Sequence, residues 1–91
     1  MTASFAVGAA LTRADIPVLC AGLALLLRDQ PAAVVECDVA VARPDVVTVE
    51  ALARLRLTAR RHGSRLVLAG AGPDLLALLA LLGLGDPPGD P

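Results

Sequence analysis

Apolar and polar positions along the chain follow two rhythms in turn, one of period two and one near 3.6. Residues 4–7 read as a short strand that residues 8–11 bend or continue. From Ile16 onwards, Leu19, Leu23, Leu26 and Leu27 recur at helical spacing. Thr12 or Asp15 is suited to cap that helix, and Pro17 is tolerated in its first turn, where a missing N–H is no loss. Arg28-Asp29-Gln30-Pro31 ends the run. Residues 33–39 are valine-rich and predict a strand, interrupted by Glu36 and Asp38. Those two acids are two positions apart, so both point to one side near the strand's carboxyl end.

Arg43-Pro44-Asp45 predicts a turn. The β-branched run of residues 46–49 opens a helix poorly, but a helical pattern holds from Thr48 onwards. Thr48, Ala51, Leu52, Leu55 and Ala59 form the expected buried stripe, with Arg54 and Arg61 solvated on the far side. His62-Gly63 closes this helix, with glycine suited to a left-handed cap. Residues 65–69 predict a second interior strand. Residues 70–74 form a loop, and Pro73 leads into a leucine-rich helix, residues 75–82, that is apolar almost all round. Such a helix lies deep or offers its surface to a partner.

Strand and helix alternate three times, which implies crossover connections, mainly parallel pairing and helices packed against the sheet. The expectation is one small α/β domain over residues 1–84 and a frayed Gly-Pro-Asp tail over residues 85–91. With Phe5 the one aromatic residue, the core must be built from Leu, Val and Ala, and a deep substrate cleft is not expected. A formal net charge of −1 gives no bulk field to hold nucleic acid. Arg13 and the apolar run 16–27 resemble a leader's charged and apolar parts. Asp15 and Pro17 interrupt them, however, and the run is too short to span a bilayer. A cytoplasmic location and no membrane insertion are expected.

The chemical inventory argues against an enzyme. His62 sits at a helix end, where the dipole favours a cation. Cys20 and Cys37 lie in apolar runs and suit small buried hydrophobes rather than a disulfide framework. No Cys/His cluster has metal-ligand spacing, so neither metal nor cofactor is expected. Gly70-Ala71-Gly72 lacks the third glycine and the Lys-Ser/Thr of a phosphate loop, leaving nucleotide binding by residues 70–74 the weakest alternative. Glu36, Asp38 and Asp45 lack the partners of a metal site and suit solvated or capping roles.

Residues 34–86 resemble a STAS domain, the family of sulfate-transporter tails and bacterial anti-sigma-factor antagonists. A strand of the form V-x-x-D, here residues 35–38, precedes a loop. Asp45-Val46-Val47-Thr48 stands where that family carries D-S/T-S-G. A helix follows over residues 49–62, then a Gly-led strand over 63–68, then a leucine-rich helix closing in Leu82-Gly83-Leu84-Gly85-Asp86. In antagonists, the second residue after the Asp is phosphorylated by the partner kinase. That position is Val47, which has no hydroxyl, so the usual switch cannot operate there. Thr48, one place along, is the candidate substitute phosphosite, and as helix N-cap its hydroxyl would bond a backbone N–H, in the donor array that also favours phosphate.

What the resemblance implies is a regulatory protein–protein interaction module in transcriptional signalling. Its partner would be an anti-sigma factor or kinase-type protein. The alternative is a STAS subunit of a lipid-transport ABC system that binds the ATPase. In either case the partner would meet the loop at Asp45 and Thr48 and the helix side bearing Val49, Ala53, Arg56, Leu57 and Arg60. Arginine suits such a surface because its fork pairs carboxylates while its stem packs.

Overall fold

A computed structural model describes residues 2–83. Strands β1 (Thr2–Ala6), β2 (Val34–Asp38) and β3 (Arg65–Ala69) alternate with helices α1 (Asp15–Asp29), α2 (Val46–Arg61) and α3 (Pro73–Leu81). The strands form one parallel sheet in the order β1-β2-β3. Each crossover therefore moves one place along the sheet in the same direction. Right-handed crossovers of that kind carry both connecting helices to one face. Accordingly α1 and α2 pack against each other.

Register decides which residues make the core. Ala3, Val35 and Leu66 stand abreast across the sheet, and Phe5, Cys37 and Leu68 form the next row on the same side. Val35 and Cys37 are fully buried there, joined by Val7 and Val39 just beyond the strands. On α1, Ile16, Leu23 and Leu27 point inward. The expected α2 stripe is buried throughout, with Leu55 and Ala59 fully enclosed. Burying a Val- or Leu-sized side chain in this cluster stabilises the fold by about 1.5–3 kcal/mol.

The opposite face of the sheet has no helix on it among the described residues. Thr2, Ser4, Ala6, Glu36, Asp38 and Arg65 are exposed there, and Val34 and Val67 are half-buried. Parallel sheets covered on both faces read as continuous apolar runs, whereas β1 and β2 set Thr2, Ser4, Glu36 and Asp38 at alternate positions, which matches one wet face. Glu36 and Asp38 do share a side, as their spacing predicts. The strand at Arg65–Ala69 is a correction: it is an edge strand, paired with β2 alone. Three consecutive strands joined in order must leave the last at the rim.

The helix ends follow local rules with two departures. Neither Thr12 nor Asp15 caps α1. The Asp15 carboxylate instead accepts from the Thr12 backbone N–H at 2.9 Å and the Thr12 hydroxyl at 3.0 Å, and Ala14 occupies the cap position. Helix α2 opens at Val46, two residues before the period becomes visible, for reasons given below. Its far end is a Schellman turn: Gly63 at φ +73° donates to the Arg60 carbonyl, and the Ser64 N–H donates to that of Ala59. The Ser64 hydroxyl, buried, donates to the Ala32 carbonyl and ties the start of β3 to the approach of β2.

Helix α3 takes Pro73 in its first turn, as expected. Leu75 and Leu79 enter the core, while Leu76, Leu81 and Leu82 stay about half or more exposed. One side of α3 is thus buried and the other exposed. The tail at residues 85–91 and the end of the family-like stretch at 84–86 lie outside the described residues. No described helix is long and apolar enough to cross a membrane.

Candidate partner-binding surface

Two valines are poor openers for a helix, so something must compensate at the start of α2. Asp45 does so. Its extended backbone places the carboxylate over the first turn, where Oδ1 accepts the Thr48 backbone N–H at 2.9 Å. That N–H holds the Asp45 carboxyl below the usual carboxylate range. Desolvation opposes it in part, and the Thr48 hydroxyl and the Arg43 guanidinium add smaller effects in the lowering direction.

The expectation that Thr48 is the N-cap is therefore corrected. Thr48 is the third helical residue, and its side chain is almost wholly buried at 1 % exposure. Helical phase explains it: Thr48 lies seven residues before Leu55, about two turns, and so shares Leu55's inward direction. Val49 is corrected likewise. At 3 % exposure it belongs to the core cluster and offers nothing to a partner. Of the remaining surface residues, Asp45, Leu57 and Arg60 are exposed and Ala53 and Arg56 are half-exposed. Val47, where the family resemblance would put a phosphosite, is half-buried in the first turn.

The outer side of α2 is strongly basic. Arg54, Arg56, Arg60 and Arg61 fall within it against one acid, Glu50. Leu57 stands among them at 47 % exposure, a large apolar side chain framed by guanidiniums. Toward α1, this surface descends into a groove of about 350 Å³ between the two helices. Ile16, Pro17 and Cys20 line it from α1, and Leu57, Thr58, Arg54 and Arg61 from α2.

Glu50 and Arg13 close the groove at one end. Arg13 Nε donates to Glu50 Oε1 at 3.1 Å, and Arg54 Nε lies 3.9 Å from Glu50 Oε2. Both ion pairs are exposed, which limits each to a fraction of a kcal/mol and makes their geometric effect the larger one. The arginines Arg54 and Arg61 were expected to be merely solvated. They are exposed, yet they form the groove's wall, because α1 runs beside their flank of α2. Arg13 and Glu50 had no signal in the sequence. Thirty-seven residues separate them, and only helix packing brings them together.

Other chemical candidates scatter. Asp38 Oδ1 accepts the Ala40 N–H at 2.9 Å in a local turn, Asp45 caps α2, and Glu36 lies on the open sheet face. Among the described residues, no three His, Cys, Asp or Glu side chains are grouped to hold a metal ion. The His62 ring Nδ1 lies 3.0 Å from the Thr58 carbonyl at the end of α2. Gly70 is held by a different need: at φ +76°, its Cα approaches Ala40 so closely that a Cβ would lie 3.0 Å from the Ala40 Cβ. Both cysteines are free, Cys37 in the core and Cys20 half-buried in the groove. Burial, with the Asp38 charge beside it, pushes the Cys37 thiol up to about 11.

No family model matches the chain, and no curated protein and no solved structure is significantly similar to it.

Proposed function

We propose that the chain is a regulatory protein–protein interaction module, similar in role to an anti-sigma-factor antagonist, that docks an anti-sigma or kinase-type partner through the outer surface of α2. The observation that carries this is Leu57. It is about half exposed in the C-terminal half of a helix whose outer side bears four arginines and one carboxylate. An apolar contact ringed by guanidiniums is the composition that protein interfaces favour, because the stems of arginine pack while the forks pair with carboxylates. Isolated exposed leucines are ordinary on a surface, so its weight comes from the arginine frame.

The module works without the family's phosphate switch. Val47 has no hydroxyl to accept a phosphoryl group. The Thr48 hydroxyl is buried beside the Asp45 carboxylate, where a kinase has no access and a phosphate would meet like charge. Regulation then rests on partner abundance or on competition for the surface.

The test is affinity purification of the native-level chain from its host, beside Leu57→Asp and Arg60→Glu variants, with mass spectrometry of what is retained. A protein of the anti-sigma or kinase type, held by the unaltered chain and lost from both variants, is expected. Retention of the same partner by both variants overturns the surface. An ABC-transporter ATPase in its place overturns the sigma-regulator role.

A further inference from the structure

The groove between α1 and α2 has a composition that selects its occupant. Its wall carries three guanidiniums, those of Arg13, Arg54 and Arg61, against the single carboxylate of Glu50. Glu50 is shared between Arg13 and Arg54, and among the described residues no carboxylate lies within ion-pair distance of Arg61. The groove is thus short of negative charge. Its lining below the rim is mainly apolar: Ile16 is buried and Cys20 half-buried near Leu57 and Pro17, and the buried Thr58 donates its hydroxyl to the Arg54 carbonyl.

Shape narrows the choice further. Ile16, Pro17 and Cys20 follow helical spacing along one ridge at the start of α1, with Arg13 just ahead of that helix. Glu50, Arg54, Leu57 and Arg61 do the same on α2, a run of three turns or about 16 Å. Two such ridges side by side form a trough rather than an enclosed chamber. A helix laid into a trough contacts it through positions i, i+3, i+4 and i+7.

We propose that this groove receives an acidic amphipathic helix from the protein partner, its carboxylates on Arg54 and Arg61 and an apolar side chain between Leu57 and Pro17. The proposal rests on the interaction-module function above and names the chemistry of the partner's contact. Guanidinium–carboxylate pairs are directional and frequently bidentate, so they set the register of the incoming helix, while the mainly apolar lining excludes water from it. Glu50 acts here as a placeholder. It holds the Arg13 and Arg54 heads at the rim, and an incoming carboxylate competes with it for Arg54.

The experiment is selection from a displayed library of short helical peptides randomised over Glu, Asp, Gln, Lys, Leu and Ala, with the full chain as bait. Selected peptides are then titrated by fluorescence anisotropy. Cys20 supplies a second readout, because it lines the groove and an occupant slows its reaction with a thiol reagent. The expected consensus carries carboxylates three or four residues apart beside a leucine. Its affinity should fall about tenfold or more on Glu→Gln exchange in the peptide and on Arg54→Ala/Arg61→Ala in the protein, about 1.4 kcal/mol per tenfold. Arg61→Ala alone guards against loss of folding in the double variant, with circular dichroism checked for both.

No enrichment, a consensus without acidic excess, or equal binding to the arginine variants each overturns the proposal. Octanoate slowing Cys20 labelling where the selected peptides do not would also overturn it, in favour of a small amphipathic anion. If the cellular partner is lost from Leu57→Asp but kept by Arg61→Ala, the interaction module stands and this occupant falls. If the peptides bind as expected while no partner depends on Leu57, the groove stands and the regulatory role falls.

Discussion

The Asp45 carboxylate accepts the Thr48 backbone N–H at 2.9 Å, and this one bond determines where α2 begins and which way Thr48 faces. A helix started three residues later would rest on Thr48 as its cap and leave Val46 and Val47 in the loop. With Asp45 as the cap, both valines enter the first turn and Thr48 turns into the core.

Removing that cap should loosen the start of α2. Asp45→Ala lowers the melting temperature by roughly 5 °C for a domain of this size, whereas Asp45→Asn, which still accepts a bond, loses much less. The pH dependence has a definite sign. Folding holds the Asp45 carboxyl below its ordinary value. Its stabilising effect is therefore complete above the ordinary carboxylate range and is lost as pH falls through the lower folded-state value. Melting curves from neutral to acid pH should fall more steeply for the unaltered chain than for Asp45→Asn. Parallel curves would remove the role given to the charge.

Cys37 gives the opposite limb. Its thiol is fully buried and titrates near 11 when folded, against about 9 when exposed. Between those values the unfolded chain ionises and the folded one does not, so stability present below pH 9 declines by about 2 to 3 kcal/mol up to pH 11. Denaturant titrations of Cys37→Ala should lack this decline, though the smaller side chain lowers stability throughout. In native protein at pH 8, a thiol reagent should label Cys20 readily and Cys37 only at the rate of unfolding.

Leu55 and Leu57 are two residues apart on one helix and should respond in opposite ways. Leu55 is fully buried, so Leu55→Ala costs about 2–5 kcal/mol in urea unfolding. Leu57→Ala should stay within about 0.5 kcal/mol while weakening partner capture. A large stability loss from Leu57→Ala would mean that its exposed part is not free for docking.

Gly70 predicts a backbone effect without any lost contact. A Cβ there meets the Ala40 Cβ at 3.0 Å and sits on a positive-φ backbone. Gly70→Ala should therefore destabilise by about 1–2 kcal/mol or more, from left-handed strain and the close approach together. Gly8→Ala, where a Cβ has open space and the backbone is not left-handed, serves as the control and should be near neutral.

The order of strands and helices, the inward stripe of α2 and the shared side of Glu36 and Asp38 were all readable in the chain. Each follows from the period of apolar residues within a single element, a property local to a few turns or one strand. The helix start at Val46 was harder to see. A cap can overrule the weak propensity of two valines, and the competing signal from Thr48 lay three residues away.

Tertiary structure alone decided the rest. That β3 lies at the sheet's edge follows from strand order, which the pattern of apolar residues in residues 65–69 does not encode. Val49 is buried although it lies off the main stripe, since neighbouring structure covers that flank of α2 near its start. The pairing of Arg13 with Glu50 and the groove they close exist only because α1 and α2 pack side by side. Local periodicity tells each residue which way to face along its own element. Which neighbour it faces is settled by how the elements pack, and the proposed binding surface belongs to that second level.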